Sequence, residues 1–129
     1  ILSKHGIQFY SDELSRNLKQ PYLLDEICHV PINTLPDHDY VYHGGRTALT
    51  VNTNKLLETH FACDAMSSTE WLELVKDTVL KIESKNGIST LLTHPSCMEV
   101  IDDFHTFRQL CEFLSQFSTC KMSSIKDFF

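Results

Sequence analysis

The chain has 129 residues, 42% of them hydrophobic and 22% charged, with eight Phe, which is enough apolar material for a sizeable core and excludes a disordered segment. Its net charge is −6 with histidines neutral, and its eleven Lys and Arg are scattered, so no basic stripe exists to neutralise a run of phosphates and nucleic acid is excluded as a partner. No apolar stretch approaches the ~20 residues that a membrane-spanning helix requires, so no membrane span is expected.

Single cores commonly grow to ~150 residues and beyond, so this length is one domain or part of a larger one. The chain begins at Ile1 with neither a basic n-region nor the apolar core of a leader. "ILSKHG" has the pattern of a last helical turn, with Lys4 and His5 at its negative end and Gly6 as the left-handed stop. Ile7 to Tyr10 is then a short β-branched and aromatic run that ends in the polar Ser11-Asp12. The chain is thus expected to open inside an α-to-β connection, with residues preceding it.

"ICHVPI", Ile27 to Ile32, is expected to be a strand that Pro31 confines to an edge, an end or a bulge. "NTLPDHDYVYHGGRT" carries Pro36, several Asp and Asn, and Gly44-Gly45, which is turn chemistry and predicts a long surface loop. Within it, Asp37 to His43 gathers two His and two Asp, either a metal cluster or a solvated polar loop. Leu56, Leu57 and Phe61 fall near helical spacing and predict a short helix over Asn54 to Phe61.

The second half is more strongly patterned. Ser67 and Glu70 form a capping box, and Trp71, Leu74, Val75, Val79 and Ile82 recur on one helical face, predicting a helix to about Lys85 that Asn86-Gly87 stops. Trp71 on that stripe is a core residue by default, with sugar stacking as the alternative. Ile88 to Thr93 is a short, mostly apolar run typical of a strand covered on both faces, ending at His94. After a loop, Asp102 or Asp103 can cap a helix with Phe104, Phe107, Leu110, Cys111 and Leu114 on one stripe. Cys120 to Met122 is a candidate last strand, and Ser123 or Ser124 can cap a final turn ending at Phe129.

Alternating helices and strands predict an α/β fold with a parallel sheet and helices packed over it. Two or three parallel strands cannot close a barrel, and complete α/β barrels take ~250 residues, so the pattern is that of part of such a fold. The five cysteines are odd in number, far apart and without C-x-x-C. Reduced, mostly buried thiols and a reducing, cytoplasmic compartment are therefore expected, rather than a disulfide framework.

In parallel α/β architectures, chemistry collects at the carboxyl ends of strands, where His94 is expected. Pro95 biases His94 away from helical angles, which holds the imidazole at the rim, and an imidazole titrates near neutrality. A proton donor or acceptor and a structural histidine are both compatible with that position. Cys97 falls two residues beyond Pro95, but no basic neighbour is evident to activate it as a nucleophile.

"LLTHP", followed by an acidic loop and "FHTFRQLCEFL", resembles the last motif of the polysaccharide deacetylases, the NodB-homology family within carbohydrate esterase family four. The opening "GIQFYSDEL…PYLLDEICHVPI" is similar to the middle of the branch acting on surface glycans and related amides. The resemblance implies that residues 1–129 are the C-terminal portion of one distorted (β/α)-barrel domain whose metal-binding half is absent. It implies a metal-dependent hydrolase that removes N-acyl groups from a glycan, or cleaves a small amide. Leu92 would line the acyl pocket and His94 would be the general acid. Asp12 falls near the motif whose carboxylate supports that histidine, although the usual tryptophan is missing and an Asx-turn is the alternative; Pro21-Tyr22 would shape the cleft or merely turn the chain.

The resemblance also implies a divalent metal, zinc by preference, on a T-F-D-D stretch and an H-x-x-x-H pair. Neither pattern occurs in this sequence, nor does any i, i+4 pair among the seven histidines, so the metal ligands are expected outside this segment. A non-catalytic carbohydrate-binding or interaction module on the same scaffold is the alternative function, and the oligomeric state is left open.

Overall fold

The structure is a computed structural model describing residues 3–11, 13–15, 17–38, 41 and 66–129. It is mixed α/β, with a small three-stranded sheet and three α-helices among the described residues. Ser3–His5 form a 3-10 turn, closed where the Gly6 N–H donates to Ser3 O at 3.1 Å. Gly6 takes φ +76°, the left-handed geometry expected of it.

Strand β1 (Phe9–Tyr10) pairs in parallel with β3 (Ile27–His29), and β2 (Tyr22–Leu24) pairs antiparallel with β3, giving the order β1-β3-β2. The expected all-parallel sheet is therefore corrected to a mixed one. Strand β2 was not foreseen because its hairpin turn is Asp25-Glu26 rather than a glycine-bearing pair. Both turn residues nevertheless have positive φ (49° and 66°), the geometry that matches strand twist in two-residue hairpins.

Beyond β3 the chain stays extended, and its alternate N–H groups face β1 and the residues that follow it: Val30 donates to Tyr10 O and Ile32 to Glu13 O, both at 2.8 Å. Period-two alternation then turns Pro31 and Asn33 toward the other edge, where residues 88–91 lie. Pro31 has no N–H, so a backbone ladder cannot form there. Side chains supply the connection instead. The Asn33 amide accepts from Thr90 N–H at 2.9 Å and donates to Ile88 O at 2.9 Å and Lys19 O at 3.2 Å. Asn33 N–H donates to Thr90 Oγ1 at 3.0 Å, and that hydroxyl in turn donates to Pro31 O. The strand expected over Ile88 to Thr93 is thus an extended segment bound through side chains, without ladder pairing.

Helix α1 (Ser68–Glu83) begins with the expected capping box: Glu70 N–H donates to Ser67 Oγ at 3.2 Å, and Ser67 N–H to Glu70 Oε2 at 2.9 Å. The Ser67 N–H and, at 2.7 Å, the Ser67 hydroxyl both donate to Glu70 Oε2 and hold that carboxyl below its ordinary range. Trp71, Leu72, Val75, Val79 and Ile82 are buried, whereas Leu74 is exposed. The helix ends at Glu83, with Asn86 left-handed and Gly87 N–H returning to Ile82 O at 3.0 Å, a Schellman-type closure.

Helices α2 (Pro95–Asp102) and α3 (His105–Leu114) follow, with α1 and α2 both packed on α3. The segment after His94 was expected to be a loop and is a helix, because Pro95 at the first helical position is compatible with helix initiation. The N-cap of α3 is Phe104 rather than an Asp, and it is left-handed like Asp103. Asp102 still caps the helix by reach: both carboxylate oxygens accept from Thr106 N–H at 3.2 Å. Met122–Phe128 form a 3-10 helix, correcting the strand expected at Cys120 to Met122.

The principal core joins Leu35, Trp71, Leu72, Val75, Val79, Met98 and Leu110, with Phe104 and Phe107 packed against it. A second cluster of Cys28, Val30 and Ile125 lies with the sheet. Asn33, Thr34, Leu35 and Asp37 are all buried, so the first part of the expected surface loop belongs to the interior. Its later part, and the helix expected over Asn54 to Phe61, lie outside the described residues apart from position 41. Of the four described cysteines, all free, Cys28 and Cys97 are buried while Cys111 and Cys120 are exposed, so burial is less general than expected. Burial raises the Cys28 thiol pKa. No helix among the described residues is long and apolar enough to cross a membrane.

Candidate functional site

The extended segment 88–93 delivers His94 to the start of α2. His94 is the N-cap, with φ −114° and ψ 108°, and its side chain makes no capping bond. It turns instead to Asp37. His94 N–H donates to Asp37 Oδ2 at 2.9 Å, and ring Nδ1 lies 2.8 Å from Oδ1, so one carboxylate grips both backbone and ring.

Asp37 is 0% exposed, while the His94 side chain is 39% exposed. Local packing explains how the carboxylate reaches that position. Trp71 Nε1–H donates to Leu35 O at 2.9 Å, tying the Leu35-Pro36 stretch to α1, and helical backbone begins at Asp37. A buried carboxylate accepting two N–H groups favours the tautomer with Nδ1–H toward Asp37, leaving Nε2 as the outward nitrogen.

Next to this pair lie His38 and Cys97. His38 Nδ1 is 3.1 Å from Cys97 Sγ, and the His38 and His94 ring centroids are 4.9 Å apart. Cys97 is 4% exposed and sits in the first turn of α2, so His94 and Cys97 share one rigid junction. One donor atom from each of His38, His94 and Cys97 falls within 4.8 Å of the others.

No family model, curated protein or solved structure matches this chain. The site must therefore be argued from its own chemistry. Two imidazoles and a thiol form a soft donor set, unlike the carboxylates and paired histidines implied by the resemblance. The residues gathered here therefore do not reproduce the ligand pattern that the resemblance implies.

Of the site residues expected from sequence, His94 is at the centre. Leu92 is half-buried two positions earlier in the extended segment, which places it on the same side as His94, while Leu91 packs on the helical core. Asp12 lies outside the described residues, and the carboxylate that holds His94 is Asp37. Tyr22 belongs to a different cluster. Its ring stacks on His29 at 4.9 Å, Lys19 Nζ sits 4.1 Å from the ring centroid, and its hydroxyl donates to Glu13 Oε2 at 3.2 Å. Glu13 also raises the Lys19 pKa by accepting its hydrogen bonds. None of these described contacts involves His94.

Asp37, His38 and Cys97 carry the arrangement; sequence reasoning weighed Asp37 and His38 only within a metal cluster or solvated loop over residues 37–43, and Cys97 only as a thiol without an activating neighbour, and did not join them to His94. Asp37 and His94 are 57 positions apart, so no local spacing links them. Nor did the stretch ahead of Asp37 mark itself: its turn-like composition hid the burial of Asn33, Thr34 and Leu35 that makes it an interior approach.

Proposed function

We propose that this chain forms the proton-delivering part of a hydrolase that cleaves N-acyl groups of a glycan, or a related small amide, with His94 as the general acid. The observation that carries the reading is the two-point hold of buried Asp37 on His94. Such a carboxylate aims the ring through Nδ1–H, and when Nε2 also carries a proton the imidazolium passes that proton to the departing nitrogen as a tetrahedral intermediate collapses. Leu92, on the same side of the extended segment, is the residue to line the acyl group.

The barrel membership suggested by the resemblance is part of the same proposal. Its support is directional: β1 runs parallel to β3, and contacts between the next two segments advance together, Asn33 with Thr90 and Asp37 with His94. Parallel neighbours with a histidine at the carboxyl end of one of them are compatible with part of a barrel wall. Exposed thiols at Cys111 and Cys120 suit a reducing compartment.

The test is acetate release from N-acetylated chito-oligosaccharides by the full-length protein, which would include the metal-binding half that the resemblance implies, comparing wild type with His94→Gln. Loss of a general acid is expected to lower turnover by ~10² to 10⁴-fold with little change in substrate affinity. Equal turnover in the two proteins would overturn the assignment.

A further inference from the structure

We infer that His38, His94 and Cys97 form a binding site for one soft divalent metal ion, of which zinc is the natural occupant, and that Asp37 is its outer-shell support. The donors are a thiolate and two imidazoles, the set that zinc favours and that magnesium or calcium, which take oxygen ligands, do not. Zinc with bonds of about 2.0–2.3 Å places its ligand atoms roughly 3.3–3.7 Å apart around a tetrahedron. The His38 Nδ1 to Cys97 Sγ distance of 3.1 Å is slightly shorter, and the outer limit of 4.8 Å for the three donors is about an ångström longer. Metal binding requires side-chain rotations that close that difference.

Three features distinguish the arrangement from a chance polar cluster. Asp37 occupies Nδ1 of His94, so the nitrogen left for a metal is Nε2; a carboxylate on the far nitrogen is the usual support of a metal-binding imidazole. Cys97 and His94 stand three residues apart at the rigid start of α2, with Cys97 N–H donating to His94 O at 2.9 Å. Cys97 is also buried, so the thiolate that a metal requires would have its charge offset by the ion rather than by water. Three protein donors leave a fourth position for water or a substrate atom.

The site has a functional consequence that rests on the proton-delivery reading: a metal on Nε2 removes the atom that would carry the proton. Zinc and catalysis by His94 would then compete, making the ion an inhibitor. Binding itself does not depend on that reading.

The experiment is titration of the full chain with Co²⁺ followed by Zn²⁺. One equivalent of cobalt should give tetrahedral d–d bands and a thiolate-to-cobalt charge-transfer band, both abolished by zinc. Cys97→Ser should remove the charge-transfer band, and Asp37→Asn should weaken binding by ~10 to 100-fold. His38→Gln should weaken it as well, with circular dichroism verifying that each variant is folded. Absence of stoichiometric cobalt binding, or an unchanged charge-transfer band in folded Cys97→Ser, would overturn the site. Cobalt binding at this site, with acetate release by the full-length protein unchanged in His94→Gln, would leave the site standing and overturn the hydrolase reading instead.

Discussion

Replacing Asn33 with Ala tests how the segment leading to His94 is held. Asn33 is 0% exposed, and its amide makes three hydrogen bonds, to Thr90 N–H, Ile88 O and Lys19 O. At a net ~1 kcal/mol each, their loss removes about 3 kcal/mol. The partners left behind are only partly exposed, which raises the expected cost toward 5 kcal/mol. Against a typical domain stability of ~5–15 kcal/mol this is a large share. Urea denaturation monitored by Trp71 fluorescence measures it. Thr90→Val removes the reciprocal bonds, to Asn33 N–H and Pro31 O, so the two changes strike one network and the double variant should cost less than the sum. Asn33→Asp should be at least as harmful as Asn33→Ala, because it sets a carboxylate against two carbonyl oxygens. A loss below ~1 kcal/mol for Asn33→Ala, or strict additivity with Thr90→Val, would refute the claim that side chains replace the missing ladder.

Two further outcomes follow from the ends of α1. The Glu70 carboxyl has its folded-state pKa lowered by Ser67, so its contribution is complete above the ordinary glutamate range of ~4.3 and disappears as pH falls through the lower folded value. The stability difference between wild type and Glu70→Gln should therefore shrink on acidification across that window, measured by urea midpoints at stepped pH; a difference that grows would contradict it. At the other end, Gly87→Ala would bring a Cβ to 2.8 Å from both Gln20 Oε1 and Ile82 Cγ2. Gln20 cannot withdraw freely, since it accepts from Ile88 N–H and donates to Leu18 O, so a loss of about 1–3 kcal/mol is expected in the same assay.

The parts legible in the sequence were those whose causes are local. Helix α1 announces itself through Ser67, Glu70 and the Trp71-to-Ile82 stripe, and its stop through Asn86-Gly87, because caps and helical faces are encoded within a few positions. The failures share a different cause. Ile88 to Thr93 has strand composition, yet strand pairing depends on the partner edge, where Pro31 removes the donor that a ladder needs. Strand β2 was hidden because its Asp25-Glu26 turn reaches positive φ without glycine. The site was legible in one member only: His94-Pro95 marks itself, while Asp37 and His38 arrive from 57 and 56 positions away through burial that polar composition disguised.

That non-local construction bears on what the site can do. A histidine at the end of a laddered strand is fixed by many backbone bonds, so loss of one side chain moves it little. Here the segment depends on Asn33, Thr34 and Thr90, with Thr34 Oγ1 donating to Thr90 O at 3.0 Å, and among the described residues the ring's hydrogen bond is to Asp37. Orientation of the imidazole and registration of the chain are consequently separable: Asp37 sets which nitrogen faces outward, and the Asn33 network sets where that nitrogen stands. Damage to the first should change proton delivery or metal affinity with the fold retained. Damage to the second should lower stability first and disturb the site only as the segment loosens.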